Sequence, residues 1–482
     1  VASPVEPQAR LNYAANPIPQ VPVSSFAVKG GLTFAGVDGL PRELWSSDRN
    51  NFMPRVGLAY QLNDLTVIRA GYGMFYVPYG SDRTDVNQGG FSQATLIVPT
   101  LNNGLTYKAS LANPFPGGID TPPGASGGLN TFLGRGISFF NVEPLNGYMQ
   151  RWSFNVQRQL PGRMVLEAGY VGNRGTKLFS GRAFDGVPNQ FLSTSPVRDQ
   201  AAINLLNDQV RNPFSGINGF AGSTLAGTTV ARSQLLRPYP HFTSTSTSTN
   251  DGYSFYNSVS VNLEKRFSHG LVMQTNWTWS KFMEATSYLN DGDLRPAYTI
   301  SDLDFPQRFN VTVIYELPFG KGKPLMGNAS RWADLLVGGW QVQASYEGQA
   351  GNPLGFGNSI FNGDMADVVI PVAQRMAERW FNPDAGFERR AAFQLGSNVR
   401  TRPLRFSWIR GDGINNVDAS VMKRFRITER VNAQFRFEAI NAANHVQFAD
   451  PNTAPASTAF GTITAEKGHG QRQINLFVKV IF

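Results

Sequence analysis

Apolar and polar residues alternate along this chain in runs of about ten, and the runs come in pairs joined by turns. Neighbouring side chains of an extended strand point to opposite faces, so each run predicts a strand with one oily and one wet side. In the clearest pair, Val259, Val261, Leu263 and Phe267 alternate with Ser258, Ser260, Asn262, Glu264 and Arg266. After Ser268-His269-Gly270, Leu271, Met273, Trp277 and Trp279 alternate with Gln274, Asn276, Thr278 and Ser280. That is a hairpin. The unit recurs from Val56 to Tyr76 and from Trp152 to Tyr170. Another copy runs from Phe309 to Leu317, crosses a longer link with a helical turn near Trp332, and resumes from Trp340 to Tyr346. A further copy runs from Val417 to Ala439, and a last strand carries Ile474, Leu476, Val478, Val480 and Phe482. The pattern predicts about eleven strands, each near the ~9–11 residues that cross a bilayer on a tilt.

The connections are asymmetric. Links inside a hairpin are short, whereas those between hairpins span about 78–147, 173–252, 282–305, 348–414 and 441–470 and are rich in Gly, Pro, Asn, Ser and Thr. Compact soluble domains seldom carry several loops above ~15 residues. Outer-membrane barrels do, with short periplasmic turns and long extracellular loops. The expected fold is therefore all-β: an antiparallel transmembrane β-barrel with about 11–12 strands visible. With the short turns periplasmic, the strand at 55–62 and the strand at 473–482 both run inward, and two such strands cannot close an antiparallel barrel. Either residues 1–50 supply another strand, with Phe26–Phe34 the candidate, or they form an extracellular loop and strands are missing on the N-terminal side. The second reading is favoured. The Thr243–Thr249 run of alternating Thr and Ser reads equally as a strand extension above the membrane or as a flexible polar loop.

Charges and aromatics sort onto the two faces. Arg69, Glu167, Glu264, Arg266, Arg308, Glu316, Arg424, Arg436 and Glu438 share the polar face, which suggests a wet, salt-bridged lumen. Tyr76, Trp152, Trp279, Phe309 and Tyr346 fall at the loop ends of their strands, and Phe267, Trp340, Phe425 and Phe482 at the turn ends. Aromatics at both edges of an apolar band match membrane-interface girdles. Three cations interrupt the oily face, Arg158, Lys265 and Lys423, each two residues before the last apolar position of an inward strand. At that height a long side chain reaches lipid headgroups.

Composition narrows the choice. Hydrophobic residues make up 41% of 482, and mean hydropathy is -0.24. No apolar run approaches the ~20 residues of a membrane helix. There is no Cys, which removes disulfides and thiolate metal sites. No signal peptide is visible, and the chain opens Val1-Ala2-Ser3-Pro4, read as a processed or truncated start. The net charge of +9 is scattered among 34 acidic residues, which argues against nucleic acid as a partner.

The hairpins resemble the C-terminal barrel of Oar-like TonB-dependent receptors. The resemblance rests on Asn51-Phe52-Met53-Pro54-Arg55-Val56-Gly57 with Ile68-Arg69-Ala70-Gly71-Tyr72-Gly73, and on Gln150-Arg151-Trp152-Ser153-Phe154-Asn155-Val156-Gln157-Arg158. It continues through Leu263-Glu264-Lys265-Arg266-Phe267, Trp277-Thr278-Trp279-Ser280-Lys281 and Tyr315-Glu316-Leu317-Pro318-Phe319-Gly320, and covers about 50–482. It implies that residues 51–482 are the C-terminal portion, roughly half, of a 22-stranded barrel, with plug and regulatory-like domains absent. It also implies that TonB is contacted only through N-terminal parts not present here, and that Phe482 is the terminal aromatic read by the barrel-assembly machinery. Membrane lipid and an unidentified substrate complete the expected partners.

Catalytic chemistry is thin. The four His (241, 269, 445, 469) lack partners at zinc-ligand spacing. Asn290-Asp291-Gly292-Asp293 faintly resembles a calcium loop but lacks the ligand series and the distal Glu, so solvated carboxylates are the favoured reading of Asp291, Asp293, Asp302 and Asp304. No cofactor is expected. The favoured function is a non-enzymatic receptor or transporter barrel in the bacterial outer membrane, binding its substrate through loops and lumen. A surface-display or adhesive barrel is the alternative, and a soluble β-rich carbohydrate-active enzyme is the third class.

Overall fold

The computed structural model describes residues 1–77, 89–95, 97, 99–428, 430–468 and 470–482. His469 and part of the first long link lie outside the described residues. Among them, eleven strands form one antiparallel meander: β1 (Arg55–Asn63), β2 (Thr66–Val77), β3 (Gly147–Leu160), β4 (Met164–Ala183), β5 (Ser244–Ser268), β6 (Leu271–Ala285), β7 (Gln307–Glu316), β8 (Trp340–Gln349), β9 (Ile414–Arg426), β10 (Asn432–Ile440) and β11 (Gln473–Ile481). Two short strands, Gly136–Ser138 and Thr299–Ile300, add to β5 and β6. Each strand pairs with its neighbour in sequence, and β1 and β11 remain as the two edges, running in the same direction. The sheet is an open barrel wall.

The register explains the faces. Residues directly opposite in an antiparallel pair share a side of the sheet. Tyr60, Ile68, Val156, Ala168, Val261, Trp277 and Phe309 follow one another across seven strands. On the later strands Tyr315, Val342, Val421, Phe437 and Leu476 continue the oily face nearer the short turns. No second large sheet covers this belt among the described residues. Tyr60 is 56% exposed, Leu476 66% and Val478 74%. An apolar belt of this extent is rare on a protein facing water on all sides. It belongs against hydrocarbon.

Two strands are much longer than the expected span, β4 with 20 residues and β5 with 25. The Ser/Thr run resolves as strand: Thr247, Ser248 and Thr249 pair with Arg182, Gly181 and Ser180. The short links turn tightly. His269 and Gly270 both adopt left-handed backbone, with φ of 51° and 79°, the combination of a type I′ hairpin turn.

The buried core lies outside the sheet wall. Of its eleven strands only Ala285, Met422 and Ala439 contribute buried hydrophobic residues among those described. Most of the rest form two clusters built from the long links. The first joins residues 5–37, 125–137 and 187–242. The second joins 354–409 with 448–463. The N-terminal segment carries helix α1 (Glu6–Ala14) and packs into the first cluster. Phe26–Phe34 is accordingly not a strand: Phe26, Val28, Leu32 and Phe34 are buried in that core, where Tyr13 stacks on Phe26 at 3.9 Å. This corrects the strand alternative for residues 1–50.

The link between β7 and β8 holds the expected helical turn, Arg331–Val337, capped by Ser330 Oγ accepting from the Ala333 amide. It also corrects the role of Lys423. Rather than reaching headgroups, Lys423 is buried, and its Nζ donates to the carbonyls of Leu336 at 2.9 Å and Gly338 at 2.5 Å, at the end of that helix. Lys265 donates to Gly162 O and Ser268 Oγ at the turn, while Arg158 stays exposed. Removing a charged donor from buried carbonyls costs about 1–3 kcal/mol. Lys423→Met should lower stability in bilayers by that amount, and Arg158→Met should leave it unchanged or raise it; equal losses in urea unfolding would contradict the cap.

Candidate functional site

The polar face of the sheet carries the first part of the site. At one height Gln157, Glu167, Asn262, Asn276, Asn310, Glu347 and Asn416 are neighbours in register across seven strands. The Asn276 amide bonds to Asn262, and Arg69 Nη1 donates to Gln157 at 2.6 Å. Of the nine charges expected here, Arg308 pairs across strands with Glu347 at 2.9 Å. Arg436 pairs with Glu438 at 2.9 Å and Arg266 with Glu264 at 3.5 Å, each two residues apart on one strand. Glu316 meets Lys323 of the β7–β8 link at 3.0 Å. Glu167 and Arg424 form no ion pair among the described residues and face amides, Gln157 and Asn262 for the first and Gln434 for the second. The wall is thus lined by amides as much as by ion pairs. The alternation put Asn262 and Asn276 on the wet face, but the lumen-lining set was drawn from charged residues alone.

The aromatics occupy the oily face as the alternation requires. Trp279 is 52% exposed and Phe267 53%. The Tyr76 and Tyr148 rings lie 5.2 Å apart, and those of Phe309 and Tyr346 6.1 Å. Trp152 lies across Gly172, where a Cβ would meet its indole Nε1. Trp340 donates its Nε1 to Leu336 O at 2.9 Å, and Lys423 Nζ sits over the rings of Trp340 and Phe425. Phe482 follows the last strand and is 93% exposed.

The second part is the canopy formed by the long links. Its two clusters are clasped by backbone and amide bonds: Ser193 N to Ser397 O at 2.9 Å, Val399 N to Ser193 O at 2.9 Å, Asn398 Nδ2 to Ser195 O at 3.0 Å and Arg198 Nη1 to Gln394 O at 2.8 Å. Helix α2 (Gln200–Asn207) starts beside this clasp, with Asp199 accepting from the Ala202 amide. The β6–β7 link joins in through Asn290 Nδ2 to Arg400 O at 3.0 Å. The four loop aspartates go to separate partners. Asp304 is buried and pairs with Arg410 at 2.6 Å, Asp302 lies 3.7 Å from Arg405, Asp293 accepts from the Asn290 amide, and Asp291 packs on Gly186. Among the described residues no three His, Asp or Glu side chains converge as metal ligands.

Within the first cluster lies a cavity of about 1130 Å³, lined by parts of residues 30–49 and 137–143 together with Gly89, Phe184, Tyr239, Phe242 and Thr245. Sequence reasoning missed it. The only signal was aromatic density, at Phe34, Trp45, Phe139 and Phe140, in segments treated as loops. Two titratable groups are buried beside it. Burial pushes Asp185 up to about 7, against a hydrogen bond from the Tyr239 amide and the Arg237 guanidinium 4.0 Å away. Burial holds His241 down at about 4, and the backbone of Gly30 offsets this only in part.

An oily belt outside, an amide-rich wall inside and ordered long links on one side define a β-barrel wall of the bacterial outer membrane. The chain belongs to the outer membrane beta barrel domain family, which it matches over residues 3–475. An outer membrane β-barrel is the fold that the hairpins predicted. No curated protein sequence matches. Among solved structures it is similar to the outer membrane transporter YddB from Escherichia coli, at 11% identity and TM-score 0.41, covering 89% of this chain and 40% of that one. It is also similar to the ferric-catecholate import receptor Fiu from E. coli K12, at 10% identity and TM-score 0.37, covering 89% and 34%. The pyoverdine outer membrane receptor FpvA from Pseudomonas aeruginosa PAO1, bound to pyoverdine, gives 10% identity and TM-score 0.37, covering 89% and 36%. The chain spans 40% or less of the length of these structures.

The buried pair makes canopy stability depend on pH. A carboxyl raised above its unfolded value stabilises fully below that value and loses the contribution as pH climbs through about 7. His241, depressed to about 4, works oppositely: its contribution is present above pH ~6.5 and lost as pH falls. Asp185→Asn removes only the first effect. Its canopy should match the parent near pH 4 and exceed it by on the order of 2–4 kcal/mol above pH 7. Protease resistance of the outer links in urea, followed from pH 5 to 8, reads this, and a pH-independent difference would contradict it.

Proposed function

We propose that this chain is the wall of a receptor or transporter that captures a substrate in its outer canopy and passes it along the polar lumen without covalent chemistry. The continuous row of amides and carboxylates across seven strands carries the reading. Such groups exchange hydrogen bonds with a hydrated polar solute at little net cost, whereas a dry apolar interior would exclude it. The ordered canopy supports capture, because a preorganised loop surface loses less entropy on binding than a flexible one. The particular resemblance to Oar-like receptors, energy coupling through TonB, and recognition of Phe482 by the assembly machinery belong to this proposal. So does transport in place of display, since a display barrel also needs ordered loops but has no use for a polar lumen.

The absence of Cys makes the face assignment directly testable. In intact membranes a membrane-impermeant maleimide should label Asn276→Cys and Asn310→Cys and leave Val261→Cys and Val313→Cys unlabelled. The reverse pattern would place the lumen on the wrong side. In cells carrying the whole protein, uptake of a metal chelate, an oligosaccharide and a peptide is compared after narrowing the lumen with Asn276→Trp and Asn310→Trp. At least a tenfold drop for one of them is expected. Uptake that is unchanged for all three leaves the display reading standing.

A further inference from the structure

The β7–β8 link is ordered at the short-turn end of the wall, away from the canopy. It begins beside the β5–β6 turn, where the Glu316 amide donates to Gly270 O at 2.8 Å. It then folds on itself: the Leu325 amide donates to Pro318 O at 2.9 Å, and the Lys321 amide to Asp334 Oδ1 at 2.6 Å. Its helix, Arg331–Val337, buries none of its residues. Trp332, Leu335 and Leu336 stand at i, i+3 and i+4, which is one face of a helix. All three are exposed, Trp332 to 77% and Leu336 to 73%, and so are Phe319, Leu325 and Met326 of the same link. An apolar patch left open on an ordered segment marks a contact surface. The helix end lies on the oily side of the wall. Trp340 and Lys423 are opposite each other in register, two residues from Val342 and Val421 on the lipid-facing positions. Trp340 Nε1 and Lys423 Nζ both donate to Leu336 O at 2.9 Å, which holds the last helical turn against the turn-end aromatics Trp340 and Phe425. The acids of the link are engaged, Glu316 with Lys323 at 3.0 Å and Asp334 with the Lys321 amide. The side chains of Lys321 and Arg331 are exposed and form no ion pair among the described residues.

We infer that this link is a membrane foot: Trp332, Leu335 and Leu336 lie in the acyl–headgroup boundary of the leaflet on the short-turn side, and Lys321 and Arg331 meet its lipid phosphates. Interfacial helices bind by this division into an apolar face and a cationic flank, and Trp favours that depth. A seven-residue helix is too short to persist in water, still less to hold lipid, by itself. The wall supplies the rest by fastening the helix end to its aromatic girdle. Lipid is the occupant because the patch adjoins a belt that already lies in hydrocarbon, and because the free charges beside it are cations. The inference rests on the belt facing lipid and is independent of transport.

The chain holds no Cys, so a single introduced cysteine can carry a nitrobenzoxadiazole label at a chosen position. The whole purified protein is placed in nanodiscs of phosphatidylethanolamine and phosphatidylglycerol, which leave both faces open to solvent. Label on Trp332→Cys and on Leu336→Cys should be quenched by lipids doxyl-labelled near the headgroup end of the acyl chain at least half as strongly as label on Val313→Cys in the belt. Aqueous iodide should quench both at least fivefold less than label on Asp64→Cys in the β1–β2 turn. Iodide quenching equal to that of Asp64→Cys would overturn the foot. Shielding from iodide without doxyl quenching would overturn it too and assign the patch to protein contact, such as a second copy of the chain. An unlabelled variant guards against the label drawing itself into lipid. Trypsin should cut after Arg331 at least tenfold faster in Trp332→Ser with Leu336→Ser than in the parent, the folding of both checked by heat-modifiable gel migration. Equal cleavage would sink the inference. Failure of these tests with the lumen labelling intact removes the foot and leaves the proposed function standing.

Discussion

Backbone amides and carbonyls find no water in hydrocarbon, so every strand in the membrane must give both to its neighbours. That requirement fixes the register, and the register fixes the faces. A slip of one residue between any two strands would turn a whole strand's oily side to the lumen and its amides to lipid. The belt from Tyr60 to Phe309 and the row from Gln157 to Asn416 are thus two readings of one ladder. Neither can be shifted without the other. The wall needs almost no buried core of its own, because lipid stands in for one.

The outer links have no such solvent and must fold like soluble protein. They do so with little regular structure and three local devices. Aromatic clusters supply the apolar burial, as where Phe356 meets Phe381, Phe387 and Phe460. Glycine lets backbones touch: a Cβ at Gly355 or Gly363 would lie within 1.9 Å or 1.8 Å of a carbonyl oxygen on a neighbouring segment. Arginines satisfy the carbonyls that strands would otherwise pair. Arg402 donates to Ser359 O at 2.9 Å with its guanidinium over Phe361, and Arg389 donates to Pro455 O at 2.9 Å with its guanidinium over Phe460. The high Gly and Arg content of these links is therefore structural, and the net positive charge of the chain is partly a by-product of holding loops together.

This division explains what could be read from the sequence. Strand alternation is local, so the hairpins, the turn at His269-Gly270 and the direction of every strand were legible within windows of about ten residues. The canopy core is not local. Tyr13 stacks on Phe26, which packs against Phe214 at 6.5 Å, and nothing within either window announces that meeting. Long links rich in Gly, Pro and Ser resemble solvated loops until their distant aromatics are paired, so the cavity stayed hidden with them. Lys423 failed for a related reason: its height in the strand was read correctly, but the helix end that receives it comes from a link whose fold the alternation does not encode.

The edges set a further condition. β1 and β11 run in the same direction, and every step between them is antiparallel. A second copy with its canopy on the same side of the membrane would bring β11 of one chain beside β1 of the other in parallel, at two seams. Parallel pairing is slightly weaker per residue and matches none of the ten pairings along the wall. An antiparallel closure instead requires an odd number of further strands between the two edges. β1 is exposed on all nine of its residues, so its outer edge is open to such a partner.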